Sequence, residues 1–209
     1  MKAIIVGTSA NLLDAKNGNK IDEFDYVVRS VSVTEFPGYE AHVGTKTDMY
    51  WSKYQYLFRF NFLNNYTKDI LLLNNDPDNY YEDFCINHKY SKYNRFFYDM
   101  WREQKQQYLN FRKVYFYNKI SLHNLHSVMG YKNVKDGRSI YASAGACVLD
   151  FFTSMTCFDE VWVTGFSFFD RATYFNPAIN HNVREHSYYR EKIFYTKLLK
   201  DKKIYELQP

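Results

Sequence analysis

Ala3-Ile4-Ile5-Val6-Gly7-Thr8-Ser9-Ala10-Asn11-Leu12-Leu13 is the stretch that decides the fold. Four consecutive apolar residues closed by a glycine read as a strand buried on both faces, and Leu12-Leu13 read as the start of a helix. A buried strand passing through a turn of small residues into a helix is the opening unit of a parallel sheet. The turn lies where such sheets take their ligands. The G-x-G-x-x-G dinucleotide fingerprint is missing, because after Gly7 the next glycine is Gly18, and this argues against a nicotinamide-dependent oxidoreductase. Gly7 to Asn11 can still present backbone N–H groups, the Thr8 and Ser9 hydroxyls and the Asn11 amide to a phosphate or ribose. Taken alone, the same turn reads first as an ordinary helix N-cap.

Further strands are expected at Tyr26–Arg29, Asp48–Trp51, Ile70–Leu73, Val114–Tyr117 and Val161–Thr164, with a last short one around Lys203–Tyr205. Helical stretches fall between most of them. The clearest are Ala142–Phe152, with a small-residue entry, and Ser187–Leu199, where Tyr189, Ile193, Thr196 and Leu199 share one face. This alternation predicts an α/β protein: one Rossmann-like α/β/α domain over 1–209 with a mostly parallel sheet. The stretch His88–Lys119, dense in Tyr, Phe, Lys, Arg and Gln, reads as two helices with solvated polar faces; a lid or a membrane-surface segment is the alternative.

The chain of 209 residues suits one substantial core. A net charge of +4 fits a phosphate-bearing ligand and is too mild and dispersed for nucleic acid. With 21 Tyr and 18 Phe, aromatic clustering reflects codon bias at least as much as a ligand. Three cysteines, Cys85, Cys147 and Cys157, are an odd number without metal-ligand spacing, so a reducing compartment is expected. The chain enters its first apolar run directly from Met1, with no signal peptide and no run long enough to span a bilayer, and a soluble cytoplasmic protein is expected.

Three segments carry the functional reading. The first continues the opening turn through Ile21-Asp22-Glu23-Phe24-Asp25-Tyr26-Val27-Val28-Arg29 to Gly38-Tyr39-Glu40-Ala41-His42-Val43-Gly44-Thr45-Lys46-Thr47. In order and spacing it resembles the long sialylmotif of animal-type sialyltransferases. Tyr141-Ala142-Ser143-Ala144-Gly145-Ala146, followed by Val161-Trp162-Val163-Thr164-Gly165-Phe166, resembles the short sialylmotif. His186, followed five residues later by Glu191, resembles the last sialylmotif and the corresponding segment of a bacterial sialyltransferase family. The resemblance covers about the first fifty and the last seventy residues, leaving roughly 53–137 unmatched; acceptor specificity is expected there.

The resemblance implies the sialyltransferase variant of a GT-A-like fold and an inverting, metal-independent transfer of sialic acid, or a related ulosonic acid, from a CMP-sugar donor to a glycan hydroxyl. It places Thr8, Ser9, Asn11 and the turn from Arg29 and Ser30 to Ser32 on nucleotide and phosphate, and Ser143, Ala144 and Gly145 on the donor's carboxylate or cytidine. It makes His186 the general base and Tyr174 the hydroxyl that meets the departing phosphate. A histidine suits the first task because its unperturbed pKa of roughly 6.5 leaves it free to accept a proton near neutral pH. The chain departs from the family at Thr8, where an Asn is usual, at Val31, where the strand normally ends Arg-x-Asn, and at Phe169, which replaces a phosphate-holding tyrosine. Asp76-Pro77-Asp78 matches a D-x-D metal signature in form but reads as a turn, and a single-phosphate donor offers no diphosphate for a metal to clamp. No metal or cofactor is expected. A Kdo-type transferase and a catalytically degenerate nucleotide-binding member of the same fold are the alternatives.

Overall fold

The computed structural model describes residues 1–30, 38–52, 70–73, 99, 103, 114–117, 119–130, 142–154, 158–168 and 187–208. Among these, seven strands form one sheet: β1 (Lys2–Val6), β2 (Tyr26–Ser30), β3 (Met49–Ser52), β4 (Ile70–Leu73), β5 (Val114–Phe116), β6 (Glu160–Thr164) and β7 (Tyr205–Glu206). The order across the sheet is β5-β4-β3-β2-β1-β6-β7, and every neighbouring pair is parallel. The expected α/β class with a parallel sheet therefore holds, and the predicted strands fall within a residue or two of those observed. The opening turn differs: it enters a single 3-10 turn, Ala10–Asp14, where a longer helix start was expected.

Strand β1 is central, and its apolar run is buried on both faces, with Ala3, Ile4 and Ile5 fully inaccessible. Alternate side chains serve two cores, as the two-residue period of a strand requires. Ala3 and Ile5 join Val28, Val161 and Val163 beneath helices α3 (Lys119–Val128), α4 (Ala144–Ser154) and α5 (Tyr188–Lys200). Ile4 and Val6 join Val27 under the 3-10 turn, α1 (Gly18–Asp22) and α2 (Glu40–Val43). The α4 stretch packs Ala146, Cys147, Val148, Leu149 and Phe152 into the first core, which explains its small-residue entry and apolar body.

The chain lays down β1 to β5 outward in one direction, then crosses back and places β6 on the other side of β1. The segment after β1 packs on one face and α5, after β6, on the other, and a crevice lies at the carboxyl ends of β1 and β6. Open α/β sheets bind ligands at such a reversal of strand order. No described helix is long and apolar enough to cross a membrane.

Candidate active site

The crevice is built by close backbone approach. Beyond its last strand residue, β1 stays bonded to β6, with the Gly7 N–H donating to Thr164 O (2.8 Å) and the Ser9 N–H to Gly165 O (3.1 Å). A Cβ on Gly7 would lie 2.2 Å from Gly165 O, a distance no side chain tolerates, so only glycine lets the two loops meet. Gly165 turns the chain with φ +73°, and a Cβ there would strike Leu12 at 2.8 Å. Phe166 follows and stands against both Gly7 and Gly145, 3.2 Å from where each Cβ would be. The turn after β1 and the first turn of α4 thus each pack a glycine against one ring.

Above this floor lies a cavity with about 680 Å³ of empty space, including its open mouth. Thr8, Ser9, Trp51, Ser143, Gly145, Ser167 and Glu191 line it, together with apolar walls from Leu149, Phe166, Phe168 and Phe194. Phe168 adopts φ +49°, an uncommon conformation for a bulky residue, and its ring meets Tyr195 edge-on at 4.9 Å.

Glu191 organises one wall. It sits in the first turn of α5, 4% exposed, and takes both polar groups of Ser143: the N–H at 2.7 Å on Oε1 and the hydroxyl at 2.6 Å on Oε2. Ser143 in turn caps α4, its Oγ accepting from the Ala146 N–H at 3.1 Å and its carbonyl from the Cys147 N–H at 3.1 Å. The entry to α4 is further tied to α3 by the Ala142 N–H, which donates to His126 Nε2 at 3.2 Å. Since the Ser143 hydroxyl proton is given to a carboxylate, a ligand meets that oxygen only as an acceptor. The remaining free-pointing donors of the turn are the Ala144 and Gly145 amides, which have no partner inside the helix.

The cavity brings together Thr8, Ser9, Ser143 and Gly145 from the predicted site, with Ala144 between the last two. Asn11 lies one turn away: its N–H bonds the Ser9 hydroxyl at 3.3 Å, and its Oδ1 is buried without a hydrogen-bond partner among the described residues. Arg29 and Ser30 are not among the lining residues. Arg29 is 1% exposed, and its Nε and Nη2 donate to Lys46 O (2.9 Å) and Val43 O (2.6 Å), with Asp22 3.8 Å away. Asp22 accepts from the Thr45 and Lys46 N–H groups, Lys46 Nζ reaches Phe24 O, and Asp48 accepts from the Val27 N–H. Much of the charge in the first motif thus staples the 43–48 loop to the sheet. His186, Tyr174, Val31, Phe169, Asp76 and Asp78 lie outside the described residues. No cluster of three or more metal-ligating side chains occurs among the described ones.

Reading the residues alone left Glu191 as the tail of a motif and passed over Trp51. The five-residue spacing from His186 was the signal for the first, while Trp51 carried none beyond its place at the carboxyl end of a strand.

The model of glycosyltransferase family 29 (sialyltransferase) matches residues 1–203. The chain belongs to that family. It is a sialyltransferase-like glycosyltransferase, and solved structures with the same fold agree. A mammalian sialyltransferase superposes with a TM-score of 0.57 at 17% identity over 99% of this chain and 68% of the other. A mammalian sialyltransferase in complex with Gal-beta-1-3GalNAc-ortho-nitrophenol gives 0.58 at 17% identity over 99% and 69%. A variant of the sialyltransferase CST-II in complex with CMP gives 0.54 at 13% identity over 100% and 81%. No curated protein sequence matches the chain significantly.

Proposed function

We propose that this family 29 chain, acting as a single domain, transfers a sialic acid or a closely related ulosonic acid from a CMP donor to a glycan hydroxyl, with inversion and without a metal ion. The observation that supports it most is the cavity at the reversal of strand order, whose polar lining comes from all three motif segments: Thr8 and Ser9, Ser143 and Gly145, and Glu191. Two structural neighbours are complexes with CMP and with a disaccharide acceptor analogue, which is the ligand pair the reaction needs.

In this reading the Thr8 and Ser9 hydroxyls, the Asn11 amide and the Ala144 and Gly145 N–H groups hold the nucleotide part of the donor. The acceptor hydroxyl gives its proton to His186 as its oxygen attacks the anomeric carbon. The bond from that carbon to the phosphate oxygen breaks with its electron pair, CMP departs, and the Tyr174 hydroxyl donates to the leaving phosphate. Charge on that phosphate is met by neutral donors, so no cation is required.

His186→Ala tests the assignment. CMP affinity should stay near the wild-type value, while transfer falls by about two to four powers of ten. The wild-type rate should rise with pH as the imidazole loses its proton, and the variant should lack that limb. His181→Ala is the control; loss of activity there with retention in His186→Ala would move the base five residues upstream.

A further inference from the structure

Trp51 is the penultimate residue of strand β3 and lines the cavity, yet it is 7% exposed and packs in the main core. Its Nε1 is buried without a hydrogen-bond partner among the described residues. The contrast with Trp162 is direct: that indole N–H donates to Glu160 Oε2 at 2.7 Å. An indole nitrogen is a donor only, and a buried donor left unpaired is unfavourable enough that native proteins rarely keep one without a reason.

Among the described residues around it, no oxygen accepts from this N–H. Leu149, Phe166, Phe168 and Phe194 form the apolar walls, and the Glu191 carboxylate is engaged by both polar groups of Ser143. The sheet register adds position: Trp51 pairs with Ser30, the last residue of β2, and the next residue in sequence is Val31, whose side chain has no donor. On this side of the crevice, β3 therefore carries a side-chain donor beside the end of β2.

We propose that Trp51 is a donor-binding residue, its indole N–H reserved for an acceptor oxygen of the bound CMP nucleotide. The inference rests on the proposed use of a CMP donor. It assigns a contact to a residue outside the three motifs, and it gives the crevice a neutral donor that needs no counter-ion. An anionic phosphate oxygen would make the stronger bond, being charge-assisted, and a carbonyl or hydroxyl oxygen of the nucleoside the weaker one.

The test uses the full chain with ¹⁵N labelling. It has three indole N–H groups, at Trp51, Trp101 and Trp162, and comparison with Trp51→Phe assigns the first. On titration with CMP, the Trp51 indole resonance should move downfield and saturate with the binding isotherm. Trp51→Phe, which keeps an aromatic ring in the core, should weaken CMP binding by about tenfold to a hundredfold. Cytidine in place of CMP locates the oxygen: an affinity unchanged by the substitution puts it on the phosphate, and an equal loss puts it on the nucleoside. If the wild type saturates with CMP while the Trp51 resonance and the Trp51→Phe affinity stay where they were, the Trp51 contact is refuted and the CMP reading survives. If the wild type binds no CMP, both fall. Should Trp51→Phe fail to fold, the wild-type resonance, assigned by sequential methods, decides alone.

Discussion

A guanidinium is costly to bury bare, and Arg29 places Nε and Nη2 on the carbonyls of Lys46 and Val43. Its place in a motif associated with donor binding suggests a ligand contact; its surroundings make it a tie between β2 and the loop after α2. Arg29→Met keeps much of the volume but strips two buried carbonyls of their donors, for an expected loss of about 2–5 kcal/mol of stability. CMP affinity of the folded fraction should be nearly unchanged. Thermal melts alongside calorimetric titration check this, and a variant that melts like wild type yet loses CMP would return Arg29 to the ligand. Ser143 shows the same limit of a motif. Its residue type was legible as a turn hydroxyl near a helix start, but not that Glu191, 48 positions on, takes both its N–H and its hydroxyl. Partners that distant in sequence leave no local pattern.

Strands and helices were legible because each is written in local periodicity: the doubly buried run of β1, the β-branched run of β6 and the small-to-apolar transition at α4 each fix an element by themselves. The 3-10 turn at Ala10–Asp14 was less so, since Leu12 buries against Gly165 after a single turn and the chain is extended again at Ala15. Short 3-10 pieces are common connectors of this kind. Contacts between elements hold the titratable surprises. Tyr117, just beyond β5, donates to Asp150 Oδ2 of α4 at 2.5 Å, and its own burial, followed by that hydrogen bond, raises the Tyr117 hydroxyl well above its ordinary range. Burial also pushes the Asp150 carboxyl above the usual carboxylate range, opposed by hydrogen bonds from Tyr117 and Ser154. Because the folded value is raised, the stabilisation from holding the proton is complete below the unfolded value of about 3.9 and is lost as pH rises through the folded one. Asp150→Asn has no charge to bury. It should melt higher than wild type near neutral pH, with the advantage shrinking toward about pH 4. A melting difference that does not change between those pH values would contradict the sign assigned to Asp150.

At the scale of the molecule, the site exists because the sheet reverses its strand order between β1 and β6, bringing residues near positions 8, 145 and 191 around one cavity. Alternating strands and helices imply a parallel sheet, but they do not say which strand neighbours which. The motif order supplied that juxtaposition through resemblance, and the Gly7–Gly165 contact supplies its physical cause: two backbones that meet only where neither carries a side chain. Trp51 escaped notice because its role depends on which strand lies beside β2, a fact of topology. The central claim is that this crevice takes a cytidine monophosphate donor without a metal. Calorimetric titration of the purified chain in EDTA with CMP, UDP and NADH tests it most directly. The account predicts saturable binding of CMP, with UDP and NADH far weaker; binding of UDP or NADH in preference to CMP, or CMP binding that appears only when a divalent cation replaces the EDTA, would contradict it.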